Sequence, residues 1–252
     1  MIQIRNLQKS FGKKAVLCGV DLDIVRGKTT TIFGVSGGGK STIIKHIIGL
    51  LQADSGTITV DNITLDTNNK ENLYKIRSKV GYLFQSGALF DSMTVRENIE
   101  FPLLEHTNLT RKERDIKIDR SLELVGLKPL EVLRLFPDEL SGGMRKRVGL
   151  ARTIIHGPKA ILYDEPTSGL DPVTSDRISQ LIVRLKDELG ATSVLISHDI
   201  KESLKCSDYI AMLFQGKIVA YGETSELMNS ANPVVQQFVQ GSSEGPIKFD
   251  NP

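Results

Sequence analysis

The chain has 252 residues, 40% hydrophobic and 25% charged, the balance of an ordinary globular protein rather than of a fibrous or disordered one. Thirty-two Lys+Arg against thirty Asp+Glu leave a formal charge of +2, which demands neither nucleic acid nor an acidic membrane as partner. No apolar run approaches the roughly 18–20 residues of a bilayer-crossing helix, and the start MIQIRNLQKSF has neither the basic nor the apolar region of a signal peptide, so a cytosolic chain that spans no membrane is expected.

In chain order, Ile2, Ile4 and Leu7 alternate with the period of a strand, and Val16–Val25 reads the same way. The β-branched run Thr29–Val35 ends in a glycine cluster, and Ser41–Leu51 carries helical apolar spacing at Ile43, Ile44, Ile47, Ile48 and Leu51. Strand, glycine loop and helix open an α/β unit. Helices are expected over Asn72–Lys79, Thr94–Leu104, Arg111–Leu127 and Ser141–His156, the last closed by Gly157-Pro158. An apolar strand, Ala160–Tyr163, precedes an amphipathic helix, Thr174–Leu189, and a second apolar strand, Ser193–Ile196. A hairpin of Tyr209–Phe214 and Lys217–Ala220 turns at Gln215-Gly216, and a short helix, Val234–Val239, leads to the polar tail GSSEGPIKFDNP. Residues 86–154 thus read as a helical insertion in an α/β core. Cys18 and Cys206 have no Cys or His at ligand spacing, which argues against a disulfide framework or a zinc site.

Gly34-Val35-Ser36-Gly37-Gly38-Gly39-Lys40-Ser41 matches G-x-x-x-x-G-K-[ST] at every fixed position, between a buried strand and a helix, where the motif has to stand. Glycines let successive backbone N–H groups turn inward as an anion nest, and the helix adds its positive N-terminal end. Lys40 is expected to reach the β- and γ-phosphates of a nucleoside triphosphate, and the Ser41 hydroxyl to hold Mg²⁺. A second element supplies carboxylates: the strand Ala160–Tyr163 runs into Asp164 and Glu165. Acids at the C-terminal edge of a buried strand lie where α/β folds bind ligands. Asp164 suits the Mg²⁺ site and Glu165 the orientation or deprotonation of attacking water.

Leu140-Ser141-Gly142-Gly143-Met144 then opens the helix that precedes the acidic strand, and Ser-Gly-Gly at a helix start is a second anion nest with a hydroxyl cap. One complete phosphate loop plus one extra nest makes sense if the second serves a neighbouring subunit. At this point the sequence resembles the ABC-type ATPases, whose signature reads Leu-Ser-Gly-Gly-Gln; Met144 stands where most members carry glutamine. The rest of the set falls in family order over residues 1 to about 230.

The resemblance implies an α/β P-loop NTPase (RecA-like) core with an N-terminal antiparallel β subdomain and an inserted α-helical subdomain, the ABC ATPase fold. Residues 1–85 and 155–230 would form the α/β core of a single domain and 86–154 the helical subdomain with the signature; 231–252 would be a C-terminal helix and tail touching a partner subunit. It further implies Phe11 as the adenine-stacking aromatic, Gln85 as the Q-loop glutamine and a Mg²⁺ contact, Ser168–Asp171 as the D-loop and His198 as the switch histidine. Gly34, Ser36, Gly37, Gly38, Gly39, Lys40, Ser41 and Thr42 would bind the ATP of their own chain. Ser141, Gly142, Gly143 and Asp171 would complete the nucleotide site, the Ser141 region serving the second copy's ATP in a head-to-tail dimer. Glu165, His198, Lys40 and Gln85 make up the expected catalytic set, with ATP and Mg²⁺ as ligands. His46, His106 and His156 are read as structural.

One nucleotide site without a membrane span implies a separate ATPase subunit bound at the cytoplasmic face of the inner membrane to a permease dimer, which residues 86–93 (SGALFDSM) and the helical subdomain would contact. The run QSGALFDSMTVRENI, Met144 and the tail Glu244–Phe249 resemble the ATPases of Mla-type phospholipid transporters, which work with a lipid-binding mammalian-cell-entry (MCE) protein. The alternative is the ATPase of an amino-acid or other small-solute importer. Repair and translation ATPases of the family carry paired cassettes or long insertions; a small GTPase would need an N-K-x-D pattern. The basic run Arg145–Arg147 builds no continuous groove, so no nucleic acid is expected.

Overall fold

The computed structural model describes residues 1–248; the end of the expected tail, from Phe249 on, lies outside the described residues. In chain order the elements are β1 (Ile2–Phe11), β2 (Lys14–Ile24), β3 (Thr29–Gly34), α1 (Lys40–Ile47), β4 (Ser55–Val60), β5 (Ile63–Thr64) and α2 (Lys70–Arg77). There follow β6 (Val80–Leu83), α3 (Val95–His106), α4 (Arg111–Leu124), α5 (Pro129–Val132), α6 (Gly142–Ile154), β7 (Ala160–Asp164), α7 (Pro172–Leu189) and β8 (Thr192–Ile196). The described chain closes with α8 (Ile200–Cys206), β9 (Tyr209–Phe214), β10 (Lys217–Glu223), α9 (Thr224–Met228) and α10 (Pro233–Gln240). It divides into two compact units, Met1–Ile76 together with the segment from Val194 on, and Arg77–Ser193.

In the first unit β1 pairs antiparallel with both β2 and β4, and β5 extends β4. Ile2 and Ile4 face Ile24 and Leu22 on one side and Val60 and Ile58 on the other, so the period-2 apolar face is buried from both edges. The register slips beyond Ile4, where Asn6 takes a positive φ of 46°. β3 runs parallel to β9, with Phe33 beside Met212, and β9 turns back into β10 through Gln215-Gly216, both at positive φ, as a tight hairpin turn requires. The C-terminal segment packs on its own chain: Val234, Val235 and Ile247 join Phe33, Ile210, Met212 and Leu227 in one apolar cluster. The Gln237 amide holds Ile247 there, accepting from its N–H at 2.7 Å and donating to its carbonyl at 3.0 Å.

In the second unit β6 runs parallel to β7, Leu83 beside Tyr163. Helices α3, α4 and α6 pack together, and Thr94 and Thr110 start α3 and α4 with reciprocal bonds to Glu97 and Glu113. Residues 86–154 hold α3, α4, α5, a single 3₁₀ turn and α6, with no strand among them. Strands β4, β5 and β6 are additions to the sequence reading. They are two to six residues long, and Ser55-Gly56-Thr57 and Gly81 dilute the apolar alternation that reveals a strand.

Candidate nucleotide site

In the first unit, β3 is buried along its whole length and delivers the chain to a loop in which Ser36 and Gly37 are exposed. Gly37 and Gly39 take φ of 70° and 102°; a Cβ on Gly39 would lie 2.9 Å from Val16 Cγ1, so the loop closes on β2 only with glycine there. Gly39 caps α1, and its carbonyl accepts the first helical bond from Ile43 at 3.1 Å. Lys40 is 6% exposed, and its ammonium donates to the carbonyls of Gly34 (2.8 Å) and Val35 (2.9 Å), lying across the loop it belongs to. A cleft of about 790 Å³ runs along the loop, walled by Val16, Ser36, Gly37, Gly216 and Lys248. Ser41 and Thr42 occupy the first turn of α1, half-buried.

Phe11 ends β1 with its ring 48% exposed and the Lys9 ammonium 5.6 Å from its centroid. His198 is exposed on the turn between β8 and α8 and shares a second cleft, about 410 Å³, with Gly34, Val35 and Ser36. Its neighbours pin that turn: Ser197 Oγ accepts from Asp199 N at 3.0 Å, and the Asp199 carboxylate caps α8 through Glu202 N. The start of the loop, Gly34, Val35 and Ser36, and His198 therefore meet along the walls of one cleft within this unit, while Lys40 and Ser41 lie outside both linings.

In the second unit the fully buried β7 carries Asp164, 7% exposed, to its end. Tyr82 Oη donates to Asp164 Oδ2 at 2.8 Å; burial and the neighbouring carboxylate push the phenol far up, so it stays a donor. Glu165 follows with a positive φ of 49°, an uncommon backbone for a non-glycine residue. Gln85 Nε2 donates to Glu165 Oε2 and to Ser168 Oγ, both at 3.1 Å, which brings three expected site residues together. The Lys146 ammonium bonds the backbone carbonyls of both Gln85 and Glu165.

Ser141, exposed, caps α6 by accepting from Met144 N at 3.3 Å, so the residue in place of the usual glutamine gives its backbone N–H to the helix cap. Gly142 is exposed, and Gly143 is buried where a Cβ would fall 2.7 Å from Thr174 Cγ2. The Asp171 carboxylate caps α7, accepting from the N–H groups of Val173 and Thr174 at 3.0 Å and from Thr174 Oγ1 at 2.6 Å. The Thr174 hydroxyl is the main cause that holds its carboxyl below the ordinary range. Arg145 and Arg147 bond the carbonyls of Leu140, Gly143 and Gly126.

Among the described residues no cluster of three or more His, Cys, Asp or Glu could cage a metal ion. Mg²⁺ needs no such cage, because it binds through one or two protein oxygens plus phosphate and water; a hydroxyl and a strand-end carboxylate are the right donors.

Three contributors escaped the sequence reading, Tyr82, Asn98 and Arg152, and Lys146 figured there only within the basic run Arg145–Arg147. Asn98 is fully buried, donates to the carbonyls of Phe90, Met93 and Thr94, and accepts from Phe90 N, while Arg152 bonds the carbonyls of Gly87 and Ala88. Together they hold the loop 86–93 with the Phe90 ring exposed and its edge on Phe101 at 5.2 Å. A polar residue on the apolar stripe of a helix, as Asn98 is among Val95, Ile99 and Leu103, was the available signal.

The three histidines read as structural are buried or paired. His46 is fully buried and bonds Thr42 O at 2.7 Å in its own helix. Burial pushes His156 down to about 4, with His106 6.2 Å away ring to ring.

A glycine-rich strand-to-helix loop with its lysine, an α/β arrangement of parallel strands and helices, and an acidic strand end define a P-loop NTPase fold. Comparison with known proteins narrows this. Residues 17–168 match the family model for ABC transporters. The chain is 43% identical over 98% of its length, and 70% of the relative's, to a probable ribonucleotide transport ATP-binding protein, mkl, of Mycobacterium leprae. It is 38% identical over its whole length to the intermembrane phospholipid transport system ATP-binding protein MlaF of Haemophilus influenzae and of Escherichia coli, covering 95% and 93% of those chains. Among solved structures, a dimeric ATP-binding cassette in a post-hydrolysis state bound to ADP and Pi superposes with a TM-score of 0.81 at 32% identity, over 89% of this chain and 99% of that one. A part of an ABC transporter complex from Clostridium perfringens gives 0.82 at 28% identity, over 95% and 94%. The chain belongs to the ABC transporter family and is an ATPase. Among the described residues no helix is long and apolar enough to cross a membrane.

Proposed function

We propose that this chain is the ATP-binding and ATP-hydrolysing subunit of a phospholipid transporter, driving a separate membrane permease through closure of a head-to-tail dimer. The observation that carries the reading is the end-to-end match to the MlaF proteins, which takes in all 252 residues and nearly the whole of each relative. In this reading the backbone N–H groups of Gly34–Lys40, with Ser41 and Thr42, bind the phosphates, Lys40 neutralises them, and Phe11 stacks on the adenine. Mg²⁺, held by Ser41, Gln85 and Asp164, would neutralise charge on the transferred phosphoryl group. Glu165 accepts a proton from the attacking water, with Gln85 and His198 orienting water and γ-phosphate. Ser141, Gly142, Gly143 and Asp171 act on the nucleotide held by the second copy. Bound γ-phosphate supplies the contacts that favour the closed dimer, and its loss on hydrolysis lets the dimer open.

The loop 86–93, set out by Asn98 and Arg152 with Phe90 exposed, is the surface for the permease, with an MCE-type protein elsewhere in the complex. The subunit then works at the cytoplasmic face of the inner membrane, and the segment from 231 on, whose apolar residues pack on its own chain, meets the partner subunit through its exposed side. A small-solute reading draws on the mkl relatives, named for ribonucleotide transport and more identical over a smaller share of their length. Isolation of the tagged subunit from gently solubilised membranes separates the two. A permease with an MCE-type protein and phospholipid is expected; a permease with a soluble solute receptor would replace this reading by the second.

A further inference from the structure

Lys146 is a buried cation that none of the family roles above requires. It lies on α6, one turn beyond the exposed Ser141 cap, with 6% of its surface exposed. Taking an ammonium out of water is costly unless its N–H groups find strong acceptors. The acceptors here are two main-chain carbonyls, Gln85 O, at the end of the segment after β6, and Glu165 O, just past β7 at 3.3 Å. The charged groups facing it are the carboxylates of Glu165 and Asp164, which favour the cation against the burial that pushes its pKa down. Both carbonyls belong to residues whose side chains already meet, Gln85 Nε2 on Glu165 Oε2 at 3.1 Å. One of them, Glu165, is held in the left-handed region, a conformation that is unfavourable for a non-glycine residue and persists only where the surroundings impose it.

We propose that Lys146 is a positioning residue for hydrolysis: by bonding the carbonyls of Gln85 and Glu165 at once, it fixes the spacing between the amide and the carboxylate that act on the attacking water. The inference rests on the catalytic reading of Glu165. It places a cation on the signature helix in direct contact with the hydrolysing segment of its own chain. A lysine suits the task because one ammonium offers three donors that reach two carbonyls on different segments. Glutamine at that position would keep one such bond, and methionine none.

The test measures ATP affinity and single-turnover hydrolysis for Lys146→Met, Lys146→Gln and Lys146→Arg, alone and with Glu165→Gln, each with a thermal melt. Lys146→Met is expected to slow turnover at least tenfold with the ATP dissociation constant within twofold, and Lys146→Arg to recover most of the rate. Beside Glu165→Gln, which removes the group being positioned, Lys146→Met should add less than threefold. Parental turnover in Lys146→Met beside a stalled Glu165→Gln would overturn the inference while leaving the catalytic reading in place. So would equal losses of affinity and turnover, or a full additional loss on the Glu165→Gln background, because a merely structural role gives those. Parental turnover in Glu165→Gln alone would instead remove the catalytic reading, and the inference with it.

Discussion

A buried ammonium must spend its protons on something, and at Lys40 the partners are the two carbonyls that open its own loop. In the proposed role the same N–H groups turn to phosphate oxygens without the side chain leaving its burial, which keeps the loss of ordering entropy small. Charge-assisted bonds of this kind contribute roughly 1.5–3 kcal/mol each. Lys40→Ala is therefore expected to weaken ATP binding by at least about a hundredfold. The unchanged glycine turn and the α1 core positions Ile43, Ile44 and Ile47 should keep the fold intact. Titration with a fluorescent ATP analogue, beside a circular-dichroism melt, checks both halves; parental affinity in a folded variant would contradict the role given to this lysine.

At the scale of elements, the loop 86–93 is the clearest case of tertiary contacts deciding a conformation. It contains Ala88 at a positive φ of 47°, which alanine does not choose freely. Asn98, fully buried on α3, ties three carbonyls and one N–H of the loop and the helix start, and Arg152 on α6 ties two more carbonyls. Asn98→Ala would leave several of these groups unpaired in the interior, a loss of about 2–4 kcal/mol by the usual cost of stranded buried polar groups. A chemical-denaturation midpoint that moves by less than about 1 kcal/mol would mean that water takes over the bonds. The same contrast separates what the sequence showed from what it hid. Helices such as α3, α4 and α6 announce themselves by local chemistry, because Thr94, Thr110 and Ser141 are caps and their partners sit three residues on. The phosphate loop is legible for a similar reason, since its glycines and lysine act within eight consecutive residues. Tyr82, Lys146 and Arg152 act on residues 19 to 82 positions away, and no short window of sequence records that. The short strands β4, β5 and β6 belong with them: their pairing partners, rather than their composition, make them strands.

For the whole molecule the decisive question is whether one chain's Ser141 serves its own nucleotide or that of a second copy. Exposure of Ser141 and Gly142 at the start of α6 leaves the nest open to a partner, and the solved relative with ADP and Pi is a dimer. A complementation experiment answers it. Lys40→Ala removes the cation of the phosphate loop and leaves the Ser141 nest sound; Ser141→Arg fills the nest with a cation and leaves the loop sound. Each variant alone should hydrolyse almost nothing. In a head-to-tail dimer, a mixed pair gathers both defects in one site and frees the other, which then has a parental loop and a parental nest. Half of the dimers in an equal mixture are mixed and each has one sound site, so about a quarter of all sites recover. If each nest served the loop of its own chain, every site in the mixture would still carry one defect and the mixture would stay as inactive as its components. Ser141→Ala is the control for the lost helix cap, which by itself costs about 1 kcal/mol. It should melt like Ser141→Arg while retaining more activity, because the backbone N–H groups of the nest remain uncovered. Recovery in the mixed sample together with that difference between alanine and arginine would assign the second nest to the neighbouring subunit; no recovery would return it to the chain that carries it.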